Sequence, residues 1–134
     1  MLSSHFLIDA WRCSPELLDD VDVVRDAVER AVEAAGATLV ELNFHRFTSQ
    51  GVTAMALLAE SHLAVHTWPE RGYFAADLFS CGTGDVQRAV EILRESFAAG
   101  EVRVQTILRG PDADTEEADG SVALTGAAGG VEGG

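Results

Sequence analysis

The chain has 134 residues, of which 47% are hydrophobic and 23% charged, with 22 acidic residues against nine basic ones. This length and composition predict one globular domain that buries a core without a disulfide or metal, and they exclude repeat arrays. The formal net charge of −13 disfavours nucleic acids and anionic membranes as partners.

The N-terminal third predicts a strand followed by one long helix. His5 to Trp11 is a short, mostly apolar segment typical of a strand. Ser14 and Pro15 supply an N-cap and a proline at the first helical position, so the helix is predicted to begin at Pro15. Apolar residues then recur at three- and four-residue steps to about residue 35, and Gly36 is the predicted end.

The rest of the domain predicts four strands, a second helix and a last strand. The strands are 37–47, 52–59, 62–68 and 73–81, the helix is 85–99, and the last strand is 102–108. The order β-α-β-β-β-β-α-β predicts an α/β (α+β) fold, a two-layer sandwich of an antiparallel sheet with two helices on one face. The other sheet face is expected to be exposed or covered by a partner.

The C-terminal segment is predicted to be a disordered tail. Residues 1–110 form the predicted domain, whereas residues 111–134 are rich in Gly and Ala and contain six acids and no base. The tail therefore contributes −6 of the −13 charge and the domain −7. We expect a cytoplasmic protein, because no segment resembles a signal peptide or approaches the ~20 apolar residues of a membrane span.

Two residue types constrain the chemistry. All nine basic residues are arginine and lysine is absent, which excludes mechanisms that need a lysine Schiff base, those of pyridoxal phosphate (PLP) included. The two cysteines, Cys13 and Cys81, are predicted to be free thiols because neither belongs to a C-x-x-C pair.

Reactive side chains are densest between Glu60 and Glu70, with Cys81 downstream. Ser, His, Glu and Cys at strand ends are typical of a nucleophile with its acid and base, although spacing alone leaves the reaction open. Each also has an ordinary structural interpretation, such as a buried thiol for Cys81 or a turn acid for Glu70. His62 and His66 lie roughly 13 Å apart along a strand, too far to share one metal ion, so no metal is predicted.

The whole string decides between these interpretations. AESHLAVHTWPERGY from Ala59 to Tyr73, with Phe44-His45-Arg46-Phe47 before it and Ser80-Cys81-Gly82 after it, resembles the short bacterial and archaeal S-adenosylmethionine decarboxylase proenzymes. The resemblance spans roughly residues 4 to 110. Arg12 departs from it, since such proenzymes more often have glycine or another small residue there.

The resemblance implies self-cleavage and a pyruvoyl cofactor. The chain would be cut between Glu60 and Ser61 into a β chain of residues 1–60 and an α chain of residues 61–134, and Ser61 would become the pyruvoyl group that condenses with the substrate amine. Decarboxylation of S-adenosylmethionine would then supply the aminopropyl donor for spermidine synthesis. Such relatives are homodimers with sites at the interface, and they use neither PLP nor metal.

The resemblance also implies roles for single residues. His66 would assist processing as proton donor and acceptor, Thr53 would help it from a position that is usually serine, and Cys81 would be the proton donor in catalysis. Glu70 would bind the ribose hydroxyls and Phe47 would lie against adenine, with Trp68 also assigned to substrate binding. His5 and His45 are assigned to structure.

Two alternatives and one geometric expectation remain. The same pyruvoyl chemistry would serve an ornithine or arginine decarboxylase, and a catalytically silent regulatory subunit is the second alternative. In one regular strand Ser61 and His66 point to opposite faces, so we expect a kink or turn at Glu60-Ser61-His62 that brings them together and strains the scissile bond.

Overall fold

A computed structural model describes residues 3–59, 61–80, 84–111 and 122–123. Glu60 and Cys81 therefore lie outside the described residues. The described strands are β1 Ser3–Trp11, β2 Leu39–Arg46, β3 Val52–Leu58, β4 Ser61–Trp68, β5 Tyr73–Ser80, β6 Glu101–Arg109 and the two-residue β7 Val122–Ala123. The helices are α1 Pro15–Leu18, α2 Val21–Ala34 and α3 Val86–Ser96, with a 3₁₀ turn at Pro69–Arg71.

The strands form one antiparallel sheet in the order β2-β3-β4-β5-β1-β6-β7. The predicted α+β sandwich is confirmed, and the predicted strands agree with the observed ones to within two residues at each end. β7 falls in the predicted tail and pairs Ala123 with Val104 of β6. The other tail residues from 112 onward lie outside the described part of the chain.

The first predicted helix is wrong in one respect, because it is two helices rather than one. Ser14 caps α1 by accepting a hydrogen bond from the Leu17 amide, as its position before Pro15 predicts. Asp20 then caps α2, since its carboxylate accepts from the amides of Asp22 and Val23. Those hydrogen bonds satisfy the first backbone donors of a new helix, so α2 begins at Val21 and α1 ends at Leu18.

One sheet face packs against the helices and forms the core. On β3 the residues Val52, Ala54, Ala56 and Leu58 are buried, and they alternate with Thr53, Met55 and Leu57 on the other face. The helices bury Val24, Val28, Leu93 and Phe97 against this layer, as their periodicity predicts. We call the opposite side of the sheet, which none of the described helices covers, the open face.

Arg12 adopts a backbone conformation that favours glycine. Its φ is 58°, in the left-handed region, where a side chain is disfavoured. Its guanidinium donates to the Glu101 carboxylate at 2.9 Å. The turn after β1 therefore favours glycine at position 12. No helix among the described residues is long and apolar enough to cross a membrane.

Candidate active site

All four histidines of the chain lie on the open face. Paired residues of antiparallel strands point to the same side of the sheet, so the ladders assign each side chain to a face. His45 and His66 flank Thr53 in one row, and His62 and His5 flank Phe79 in a second row. His62 and His66 therefore share one face of β4.

The first row joins two residues that were predicted to assist processing. Thr53 Oγ1 lies 3.2 Å from His66 Nδ1, which is hydrogen-bond distance. Both side chains are half-buried, and they belong to adjacent strands that pair at this position. A hydroxyl that touches one imidazole nitrogen fixes the ring's orientation and leaves Nε2 to exchange a proton with a reacting group.

Aromatic side chains surround this contact on both sides. The Trp68 ring lies 6.3 Å from the His66 ring, and the Phe47 ring lies 4.6 Å from the His45 ring in an edge-on arrangement. Phe47 and Trp68 are both more than 40% exposed, so Trp68 is not a core residue. Glu70 is exposed in the 3₁₀ turn that follows β4. These three predicted substrate-binding residues therefore all present accessible surface, and Trp68 lies beside His66.

Ser61 does not lie beside His66. It is the first residue of β4 and pairs with Leu58, so its register places it on the helix-facing side of the sheet. Five residues at about 3.3 Å each separate the two along the strand by roughly 16 Å.

We expected a kink or turn at Glu60-Ser61-His62, and the two of these residues that the structure describes show no kink, because the β3–β4 ladder runs without a register shift from Ser61 to His66. Pairing on both sides of β4 from His62 onward keeps the strand regular. Glu60 lies outside the described residues.

Sequence reasoning missed a cluster that joins the second row to its neighbours on the open face, which we call the Asp77 cluster: His5, His62, Asp77, Phe79 and Arg109. Asp77 Oδ1 lies 2.9 Å from His62 Nε2 and 3.4 Å from His5 Nε2. Arg109 reaches His5 Nδ1 at 3.3 Å and stands over the Phe79 ring. The strand alternation of β1, β4 and β5 contains the signal, but only the strand order makes these residues neighbours.

A second polar group was also missed on the same face. The Tyr73 hydroxyl donates to Asp9, and Arg103 lies 3.7 Å from the other oxygen of that carboxylate. Burial, together with the Asp9 carboxylate, raises the pKa of Tyr73 well above its ordinary value. The Tyr73 ring also stacks 5.3 Å from Trp68, so this group supports one side of the aromatic surface.

Gly84, three residues after Cys81, packs against the end of α2. Cys81, Gly82 and Thr83 lie outside the described residues, but Gly84 is described. A Cβ on Gly84 would stand 1.9 Å from the Ala35 carbonyl oxygen, so the backbones touch there. The other cysteine, Cys13, is buried, and desolvation raises the pKa of its thiol to about 11. Cys13 is therefore an inert packing residue.

Comparisons with known proteins agree with the motif. A family model described as S-adenosylmethionine decarboxylase matches residues 4–110. The S-adenosylmethionine decarboxylase proenzyme of Synechococcus sp. strain WH7803 is 42% identical over 110 residues, which cover 81% of this chain and 86% of that protein. The proenzyme of the same name from Methanococcus vannielii is 41% identical over 110 residues, covering 81% and 90%.

A solved structure gives the same result for the fold. The crystal structure of the adenosylmethionine decarboxylase from Aquifex aeolicus superposes with a TM-score of 0.75 at 29% identity, covering 84% of this chain and 94% of that one. The matched residues include β1 through β6, which carry the Thr53–His66 pair and Ser61. The chain therefore belongs to the S-adenosylmethionine decarboxylase family.

Proposed function

We propose that this protein is a self-processing, pyruvoyl-dependent decarboxylase of S-adenosylmethionine. The observation that carries the proposal is the 3.2 Å contact between Thr53 Oγ1 and His66 Nδ1, on the same strand pair whose connecting turn contains the Glu60–Ser61 bond. A hydroxyl-held imidazole beside exposed aromatic side chains is suited to proton transfer on a flat, nucleoside-like substrate.

Processing would begin at Ser61. Its hydroxyl attacks the carbonyl carbon of Glu60, the acyl group moves from nitrogen to oxygen, and an ester joins the two residues. A base then removes the α-proton of residue 61, the ester oxygen leaves with the Glu60 carboxylate, and water releases ammonia from what remains of the serine. These steps leave a β chain of residues 1–60 and an α chain of residues 61–134.

The pyruvoyl group formed in this way supplies a ketone for the substrate amine and an electron sink for decarboxylation. Ser61 fits its origin, because the residue stands at the start of β4, directly after the turn, and is half-buried. The absence of lysine fits as well, since no residue of this chain could hold pyridoxal phosphate as a Schiff base. Glu70 and Phe47 are proposed to bind the nucleoside, and Cys81 to return a proton to the substrate carbon.

The separation of Ser61 from His66 supports a homodimer. A histidine roughly 16 Å along the strand, on the other face, cannot act on Ser61 of its own chain without rearrangement. In a dimer, the Thr53–His66 pair of one protomer would serve Ser61 of the other. The open face also offers a surface on which a second copy could pack, because Met55, Leu57 and Ile107 are 41–51% exposed there and apolar.

Denaturing electrophoresis and CO₂ release test the proposed function. The wild-type chain is expected to break into fragments of 60 and 74 residues, whereas Ser61→Ala stays whole and inactive. Ser49→Ala, a change in the exposed β2–β3 loop, is the matched control and should be cleaved normally. CO₂ is expected from S-adenosylmethionine and not from ornithine or arginine. A wild-type chain that stays whole, or activity on the amino acids alone, would refute the proposal.

A further inference from the structure

We propose that Asp77 is a positioning residue that holds the cleaved end of β4 by accepting hydrogen bonds from His62 and His5. The inference rests on the proposed function, because it concerns the strand end that cleavage at Glu60–Ser61 would create. Asp77 lies at the centre of β5, between β4 on one side and β1 on the other. Its side chain can therefore tie both neighbouring strands together across the open face.

The geometry of the Asp77 cluster fits this role. One oxygen, Oδ1, is 2.9 Å from His62 Nε2 and 3.4 Å from His5 Nε2. The two imidazoles meet edge-on at a centroid separation of 6.0 Å, and the Phe79 ring packs against both, 5.5 Å from His5 and 6.1 Å from His62. The carboxylate is 29% exposed and His5 only 19%, so both are shielded from bulk water for most of their surface.

Arg109 assigns the hydrogen-bonding roles of the two ring nitrogens of His5. A guanidinium can only donate hydrogen bonds, so the Arg109 contact at 3.3 Å makes His5 Nδ1 an acceptor. The proton of a neutral His5 then sits on Nε2, from which it is donated to Asp77. The cluster thus forms a chain of donors directed inward: Arg109 to His5, His5 to Asp77, and His62 to Asp77.

The same contact argues against a metal ion. One ligand atom from each of His5, His62 and Asp77 lies within 4.8 Å of the other two, close enough to suggest a divalent cation. A metal would need the lone pair of His5 Nε2, which places the proton on Nδ1 and directs it at a guanidinium that has no lone pair. The hydrogen-bonded cluster satisfies every one of these atoms without that conflict.

Cleavage explains why His62 needs to be held. In the intact chain the covalent connection from Leu58 to Ser61, which pair with each other, ties β4 to β3. After the cut, residue 61 is attached only through the amide nitrogen of His62 and has no N–H of its own to pair with β3. Strand ends of this kind fray, and His62 is then the first residue with a complete backbone and a side-chain anchor.

Anchoring at this point acts directly on the reaction. The reactive carbon of residue 61 is separated from the His62 nitrogen by a single carbonyl, so motion of His62 moves the reacting atom with it. A displacement of about 1 Å at a reacting centre costs roughly 100-fold in rate. Because Glu70 and Phe47 contact other parts of the proposed substrate, loss of the anchor should affect kcat more than KM.

The test compares Asp77→Ala in the cleaved protein and in the uncleavable Ser61→Ala background. Amide hydrogen exchange at residues 62–64 is expected to accelerate by roughly 10-fold or more in the cleaved variant, and to change little in the uncleaved one, where the turn still holds the strand. The kcat of the cleaved variant should fall roughly 10- to 100-fold, with KM within about threefold. Asp77→Asn, which keeps a neutral acceptor, should give an intermediate effect.

Controls separate this role from general destabilisation. Glu41→Ala removes a carboxylate from the outer strand β2 on the same face and should change neither exchange at β4 nor kcat. If Asp77→Ala does not fold, His62→Leu tests the same anchor. Equal exchange in cleaved and uncleaved backgrounds would mean a merely structural role and overturn the inference. So would stoichiometric Zn²⁺ binding by the wild type that Asp77→Ala abolishes. A wild-type chain that never cleaves would refute the proposed function and this inference with it.

Discussion

Thr67 connects the two layers directly behind the Thr53–His66 pair, and its removal gives the sharpest test of the packing. The side chain is 5% exposed, and its hydroxyl donates to the Leu18 carbonyl at 2.9 Å while accepting from the Val52 amide at 2.9 Å. Leu18 and Val52 are fully buried, so neither backbone group can turn to water instead. Thr67→Val keeps the shape of the side chain and removes only this bridge.

The expected cost follows from the two groups left without a partner. A buried donor or acceptor that loses its hydrogen bond costs about 1–3 kcal/mol, and the added methyl group returns about 0.8 kcal/mol, so unfolding should become easier by about 1–5 kcal/mol. For a domain of this size each kcal/mol corresponds to a fall in Tm of about 4 °C.

Urea and thermal unfolding in the Ser61→Ala background measure this cost on a chain that stays in one piece. Thr48→Val, in the exposed loop between β2 and β3, is the matched control and should change stability by less than about 0.5 kcal/mol. A Thr67→Val protein as stable as this control would show that the hydroxyl does not bridge α1 and β3, and the argument would fail.

Four further results are expected. Thr53→Val should slow cleavage roughly 100-fold, since it removes the contact with His66 Nδ1. Thr53→Ser keeps the hydroxyl and should be cleaved at least as fast as the wild type. Equal cleavage rates on gels for the wild type and both variants would exclude Thr53 from processing. Cys81→Ala should be cleaved but release CO₂ roughly 100-fold more slowly, and unchanged turnover would remove Cys81 from the mechanism. Gly84→Ala should lower the urea midpoint strongly, because its Cβ would overlap the Ala35 carbonyl; a wild-type midpoint would contradict that close packing. Cys13 should resist alkylation at pH 8 in the folded protein, because its pKa of about 11 leaves little thiolate. The stability that the buried neutral thiol contributes should fall as pH rises from about 9 to 11. Equal labelling of Cys13 with and without urea, measured by mass spectrometry, would contradict this.

Local patterns were sufficient for most of the fold. Alternation on β3 and the helical spacing of α2 and α3 each depend on a few neighbouring residues, so they could be predicted without knowing the partners. The break between α1 and α2 was missed because Asp20 fits a helix surface as well as an N-cap, and only the capping hydrogen bonds distinguish the two. The expected kink is absent from Ser61 and His62 because Ser61 pairs with β3 and His62 pairs with both β3 and β5, and these ladders outweigh any local preference.

The sequence by itself determined the family, through the contiguous motif from Ala59 to Tyr73, and it determined which strand carries Ser61 and His66. Their roles stay proposals that follow from that motif. Only the tertiary structure decided which side chains meet: Thr53 with His66, and His5 and His62 with Asp77. His5 and Asp77 are 72 positions apart in the chain, and they become neighbours because β1 inserts between β5 and β6. Periodicity reports the face on which a residue lies, whereas strand order and register, which depend on the packing of the whole sheet, decide what lies beside it.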